Sequence, residues 1–239
     1  MFYSFYGIIR TQSRGGFIAL VVVSFLIMWR GRISRSSKLV VAAIALVVLG
    51  AIAGSGFWDR IETIWSPQTE YDRAGGGRTD QWKTGLTLML SSPWGAGING
   101  YLTAEGLSHG GGGKWSAAHN SFLQIGVDLG IAGLALFWIM LARTFRELWR
   151  IQSCGRGPIS SFQDQQINSS YSHMIADLGA ISSFLEISLW GFVVGGFFLS
   201  QAYSGFLYFL LALSLACIRL ERAVVSSKQA SLDVDGMSR

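Results

Sequence analysis

This chain is short of charge. Asp, Glu, Lys and Arg make up 14% of its 239 residues, where a soluble domain carries about 25%. Cysteine is nearly absent. Cys154 stands in a basic stretch and Cys217 in an apolar run, and two such residues define no disulfide framework; both read as free thiols. Histidine is also scarce. His109, His119 and His173 are scattered, with no Cys or carboxylate at ligand spacing, which argues against a metal site. No cleavable signal peptide is visible, because residues 1–12 are semi-polar and lack an apolar core. The formal net charge of +5 is no sign of nucleic-acid binding. Most of the excess flanks apolar segments, where membrane topology accounts for it.

What the chain has is long apolar runs. They fall at about 15–29, 39–58, 120–142, 174–199 and 203–218. Each reads as a membrane span, the first and last being short against the ~20 residues that a bilayer asks for. Arg and Lys cluster at 29–38, 143–156 and 219–228, stretches that share one side if all five segments cross. The positive-inside rule makes that side cytoplasmic. Residues 59–118 then form a large outer loop, with the N-terminus outside and the C-terminus inside. Trp29, Trp58 and Trp149 sit at span ends, where tryptophan favours the interface. An outside N-terminus with no preceding span is hard to translocate, so the chain reads as the C-terminal part of a longer protein. The fold class expected is all-α: a polytopic bundle of about five transmembrane helices over residues 1–223, with a partly helical outer loop. The Ser-rich stretch 224–239 is expected to be a disordered cytoplasmic tail.

The outer loop is more than a tether. Trp82, Leu86 and Met89–Leu90 recur at helical spacing and predict an amphipathic helix from Thr79 to Leu90. Ser91-Ser92-Pro93 ends it. Gly95-Ala96-Gly97-Ile98-Asn99-Gly100 then reads as a flexible turn, and Gly110–Gly113 as the most mobile point of the chain. A structured helix followed by a mobile glycine run is the layout of a site with a lid. His119 directly precedes the third span, with Asn120 or Ser121 as helix cap. The positive end of the helix dipole favours its neutral imidazole, the proton-accepting form. Arg14 opens the first span beside two glycines. An arginine there ordinarily snorkels to the interface, but topology places Arg14, Arg78 and His119 at the same outer face. Asp128, Asp177 and Glu186 are the acids in or near spans; for each, structural pairing competes with a functional role.

These residues, taken in order, resemble a known family. Thr-Gln-Ser-Arg-Gly-Gly opens a span at 11–16. An Asp-Arg…Gly-Arg…Trp segment runs from Asp72 to Trp82. Ser-Pro-Trp-Gly-Ala-Gly-Ile-Asn-Gly follows at 92–100, and His-Asn-Ser-Phe-Leu-Gln-Ile-Gly-Val-Asp-Leu-Gly-Ile-Ala-Gly-Leu at 119–134. The set is similar to the O-antigen ligase and polymerase family of bacterial membrane glycosyltransferases. The resemblance implies a GT-C-like fold in the inner membrane with its active face periplasmic, and more spans than the five counted here. It implies transfer of a glycan from an undecaprenyl-diphosphate donor to lipid A-core or another acceptor, without cofactor or metal. It carries the span-opening arginine onto Arg14, the Gly-Arg…Trp arginine onto Arg78 and the loop histidine onto His119.

The chemistry agrees with that reading. Guanidinium groups hold diphosphate oxygens bidentately, and a neutral histidine can act as general base on an acceptor hydroxyl. In-line attack opposite the leaving diphosphate inverts the anomeric carbon. A polymerase that uses a growing glycan as acceptor is the near alternative, with a protein acceptor as a further variant. A transporter fragment or a silent membrane scaffold is the alternative of another class. Transporters carry broken helices and mid-bilayer polar groups, whereas here the notable polar residues gather outside.

Overall fold

The computed structural model describes residues 14–30, 36, 78–108, 117–154 and 165–237. The described residues form six helices: α1 (Arg14–Arg30), α2 (Arg78–Ser91), α3 (Gly100–Ser108), α4 (Ser121–Cys154), α5 (Gln165–Gly196) and α6 (Gly205–Met237). No strand occurs among them, so the all-helical expectation stands. Two stretches, Ser121–Ser153 and Tyr171–Gly196, are long and apolar enough to cross a membrane, and Ile18–Trp29 is a shorter apolar helix. The span expected at 39–58 and the glycine run at 110–113 lie outside the described residues.

The helices outrun their apolar runs. α4 continues to Cys154, so the basic stretch 143–150 is helix and not loop. Arg, Leu and Glu are good helix formers, and Arg150 Nε bonds Glu147 Oε2 at 3.0 Å, one turn back. α6 continues to Met237, through most of the Ser-rich stretch from 224 onward. Extending an existing helix adds a hydrogen bond for each residue fixed. Contacts also hold this one: Val224 is buried, and Lys228 Nζ lies 4.0 Å from the centroid of the Tyr171 ring.

The chain divides into two compact units. One comprises Met1–Ala135 with Trp190–Ala202; the other comprises Leu136–Leu189 with Tyr203–Arg239. The second buries Leu148, Ile151, Leu185 and Leu207. Its polar groups are paired. The Arg150 fork grips the buried Glu221 at 2.9 and 2.8 Å, and Gln152 Nε2 donates to the fully buried Glu186 at 2.9 Å. Glu186 is therefore a structural partner, while Asp177 is exposed.

The first unit holds the described residues around the candidate site. Its small core is Tyr101, Ala118 and Val127, with Leu88, Met89 and Ala104 packed against it. α2 forms where periodicity predicts, and Trp82 and Met89 of that stripe pack inward, but the buried face is turned toward Gly85. Leu86 and Leu90 are exposed, whereas Gly85 is buried. A Cβ on Gly85 would stand 3.1 Å from the Tyr101 ring. Glycine therefore sets the contact face, by permitting close approach. The same device seats α1. Gly191 and Gly195 lie at i, i+4, and Cβ atoms built on them would lie 2.9 Å from Val23 and 3.9 Å from Ala19.

Candidate active site at a broken helix

The site begins at the start of α4. Asn120 is the helix cap: its Oδ1 accepts the N–H of Phe122 at 2.9 Å and of Leu123 at 3.0 Å, two of the donors a helix start leaves unpaired. Ser121, the other expected cap, does something else. Its Oγ donates to Leu199 O at 2.6 Å and accepts from Gln201 N at 2.9 Å. His119 turns the chain into the helix with a left-handed φ of 45°, a conformation that histidine takes more readily than most residues. Its side chain is exposed.

Three separated motifs meet on the turn at 197–201. From α1, a Cβ built on Gly15 would collide with Phe198. From α2, the Trp82 ring meets Phe197 edge-on, with centroids 5.0 Å apart. From α4, Ser121 holds both flanks of the turn. Each contact residue neighbours a candidate: Gly15 follows Arg14, Trp82 is one helical turn after Arg78, and Ser121 is two residues after His119. Arg14 and Arg78 are the first residues of α1 and α2; their side chains lie outside the description. The structure thus brings together the backbone segments that carry the three candidates.

The loop between α2 and α3 completes the site, and it is pinned rather than flexible. α4 is broken at Gly130, where φ is 73° and ψ is −177°. In an unbroken helix the Ile131 N–H would bond Val127 O. Here Ile131 N donates to Pro93 O at 3.0 Å, and Val127 O accepts from Ala96 N at 2.8 Å. Gly97 N bonds Asp128 O at 2.9 Å. The loop backbone fills the break. Gly95, at φ 94°, is required for closeness: a Cβ there would lie 2.5 Å from Asp128 O, and one on Gly130 would strike Pro93 O.

Asp128 anchors this arrangement. It is 2% exposed, and its carboxylate accepts from Tyr101 N at 2.7 Å and from Asn99 N at 3.0 Å. An acid of α4 therefore caps α3, from 27 residues away in sequence, and its charge suits the positive end of that helix. The Tyr101 hydroxyl donates to Gln81 O at 2.9 Å, which ties α3 to α2 beside Trp82. Burial first, and then the negative charge of Glu105, push the Tyr101 phenol up to about 12.

The first unit also carries polar atoms with unused capacity. Among the described residues, Trp82 Nε1, Gln124 Oε1 and Ser200 Oγ are buried without a hydrogen-bond partner, a state that calls for a ligand or a water. No group of three His, Cys, Asp or Glu that could hold a metal ion occurs among the described residues. The sequence offers Ser121 only as a helix cap, gives no role to Gln124 and leaves the role of Asp128 open. One signal was available: Ser121, Gln124 and Asp128 share one helix face at i, i+3 and i+7, a polar stripe in an apolar segment. The family model described as O-antigen ligase matches residues 1–138. No curated protein and no solved structure matches the chain.

Proposed function

The chain belongs to the O-antigen ligase family, a family of bacterial membrane proteins of glycosyltransferase-like ligase or polymerase type, and from that premise we propose what its residues do. They form part of a GT-C-like bundle of about five spans in the inner membrane. The membrane domain covers 1–223 and turns the loop 59–118 toward the periplasm. There a glycan passes from an undecaprenyl-diphosphate donor to an acceptor hydroxyl on lipid A-core; a growing glycan or a protein as acceptor would need the same residues.

The reaction breaks the bond between the anomeric carbon and the diphosphate oxygen, and forms one to the acceptor oxygen with inversion. His119 takes the proton of the acceptor hydroxyl. Arg14 and Arg78 hold the departing diphosphate, whose charge two guanidinium groups can balance without a metal ion.

One observation carries this reading: the segments bearing Arg14, Arg78 and His119 meet on the turn at 197–201. A second supports it. Trp82 Nε1, Gln124 Oε1 and Ser200 Oγ supply a donor, an acceptor and a group that is both, which suits a hydroxyl-rich ligand.

The test is in-vitro transfer by the complete membrane protein from a lipid-diphosphate glycan, with EDTA present. His119→Ala should lower the rate by about 10²–10⁴-fold, the usual share of a general base. Arg78→Lys should be severely impaired, because lysine keeps the charge and loses the fork. Full activity of His119→Ala, or loss in EDTA that Mg²⁺ restores, would sink the mechanism.

A further inference from the structure

The loop between α2 and α3 carries two bulky apolar side chains turned away from the protein. Trp94 is 91% exposed and Ile98 is 77% exposed. What surrounds them follows from where their backbone is fastened. Pro93, Ala96 and Gly97 are hydrogen-bonded to Ile131, Val127 and Asp128 of α4. Those partners lie within Ser121–Ser153, a stretch long and apolar enough to cross a membrane. They stand roughly 9–15 Å along the helix axis from its start, at about 1.5 Å per residue.

Irregular backbone at membrane depth is stable only where its polar groups are satisfied by protein. Much of this loop meets that condition. The N–H groups of Gly95, Ala96, Gly97 and Gly100 bond backbone carbonyls, and those of Asn99 and Tyr101 bond the Asp128 carboxylate. The loop therefore combines a largely paired backbone with apolar tips, which suits hydrocarbon better than water. The apolar exposure also continues along α2 through Leu86 and Leu90.

We infer that residues 92–100 form a re-entrant segment that enters the bilayer alongside α4 and presents Trp94 and Ile98 to lipid acyl chains. The inference rests on α4 as a membrane span. It is independent of which glycan is transferred, and of whether transfer occurs.

The experiment uses the complete protein in liposomes, with Cys154 and Cys217 replaced by serine. Trp94→Cys and Ile98→Cys are compared with Ser108→Cys at the far end of α3. A membrane-impermeant maleimide should label positions 94 and 98 at least tenfold more slowly than 108. A bimane probe at 94 or 98 should be quenched by lipids brominated along the acyl chain. In the protein with native cysteines, Trp94→Phe should remove part of the tryptophan emission that those lipids quench. Labelling at 94 and 98 as fast as at 108 would overturn the inference. So would disulfide crosslinking of the Trp94→Cys protein to a second copy in place of lipid quenching.

Discussion

Asp128→Ala offers the sharpest test of the broken-helix architecture. The carboxylate is 2% exposed and accepts two backbone N–H groups, from Tyr101 at 2.7 Å and Asn99 at 3.0 Å. Alanine leaves the buried Tyr101 N–H and the part-buried Asn99 N–H unpaired. An orphaned buried donor costs about 1–3 kcal/mol, and the lost charge at the α3 N-terminus a further ~0.3–1 kcal/mol. The part-buried Asn99 donor costs less than the buried one, so the expected loss is roughly 1–5 kcal/mol, against a typical total stability of about 5–15 kcal/mol. Asp128→Asn keeps one accepting oxygen but turns an NH₂ toward a donor, so it should fall between. Asp177→Asn, at an exposed position, should stay within about 0.5 kcal/mol of wild type. Thermal unfolding of the complete protein in detergent reads the global loss. Proteolysis between residues 92 and 100 reads local opening, since the loop is held by these bonds. Equal melting and equal protection for Asp128→Ala and Asp177→Asn would refute the anchoring role.

Glycine substitutions in the same loop should separate collision from conformational cost. Gly95→Ala and Gly130→Ala both place a methyl group against backbone and should each cost roughly 2–6 kcal/mol. Gly97→Ala, with the same positive φ and nothing within 4 Å, should cost only ~1–2 kcal/mol in the same unfolding assay. In the second unit, Glu221→Gln breaks the bidentate grip of a half-exposed Arg150 and should cost about 1–3 kcal/mol by thermal unfolding. Arg222→Ala, 63% exposed and 3.4 Å from Glu147, should change stability by less than ~1 kcal/mol. The raised Tyr101 phenol is protonated in the fold to higher pH than in the unfolded chain. Its stabilising share is full below pH 10 and is lost as pH climbs toward about 12. An ultraviolet titration of the native protein against Tyr101→Phe should show the missing tyrosine ionising last, and loss of an ordinary phenol near pH 10 would contradict the burial.

Local signals were legible in the sequence and distant pairings were not. The apolar runs marked α1, α4 and α5, and the spacing of Trp82 and Met89 marked α2, because helix period and span length are properties of neighbours. The lengths of α4 and α6 were missed because apolar content ends where hydrocarbon would end, whereas backbone bonding continues through Arg, Glu, Ser and Lys. The buried face of α2 takes in Trp82 and Met89 of the apolar stripe but leaves out Leu86 and Leu90. Its determinant is Gly85, whose value lies in the Tyr101 ring it admits. The flexible reading of residues 95–100 failed for a related reason. Glycine permits mobility and also permits contact, and only the partner at 127–131 decides which. At the site, the order of the motifs brought Arg14, Arg78 and His119 to attention. The turn on which their segments meet could not be foreseen, since Ser121 and Leu199 are 78 residues apart.

The break in α4 and the loop that fills it are each unfavourable alone. A helix interrupted at Gly130 would by itself leave Val127 O and Ile131 N without their helical partners. A glycine-rich loop ending at Asn99 would lose backbone entropy on ordering, with nothing to offset it. Joined, they satisfy each other, and Asp128 adds the cap that starts α3. The Tyr101 hydroxyl then carries the constraint to Gln81, one residue from Trp82 and three from Arg78, while Asn120 fixes the helix start beside His119. In the proposed transfer, base and diphosphate-holding arginine must keep their spacing to within about 1 Å for attack to stay in line. Two mobile outer loops would not hold that spacing. A helix start and a loop helix, both locked to the same break in α4, can hold it, and this gives a physical reason for an acid and a helix-breaking glycine to stand within a stretch otherwise apolar enough to cross a membrane.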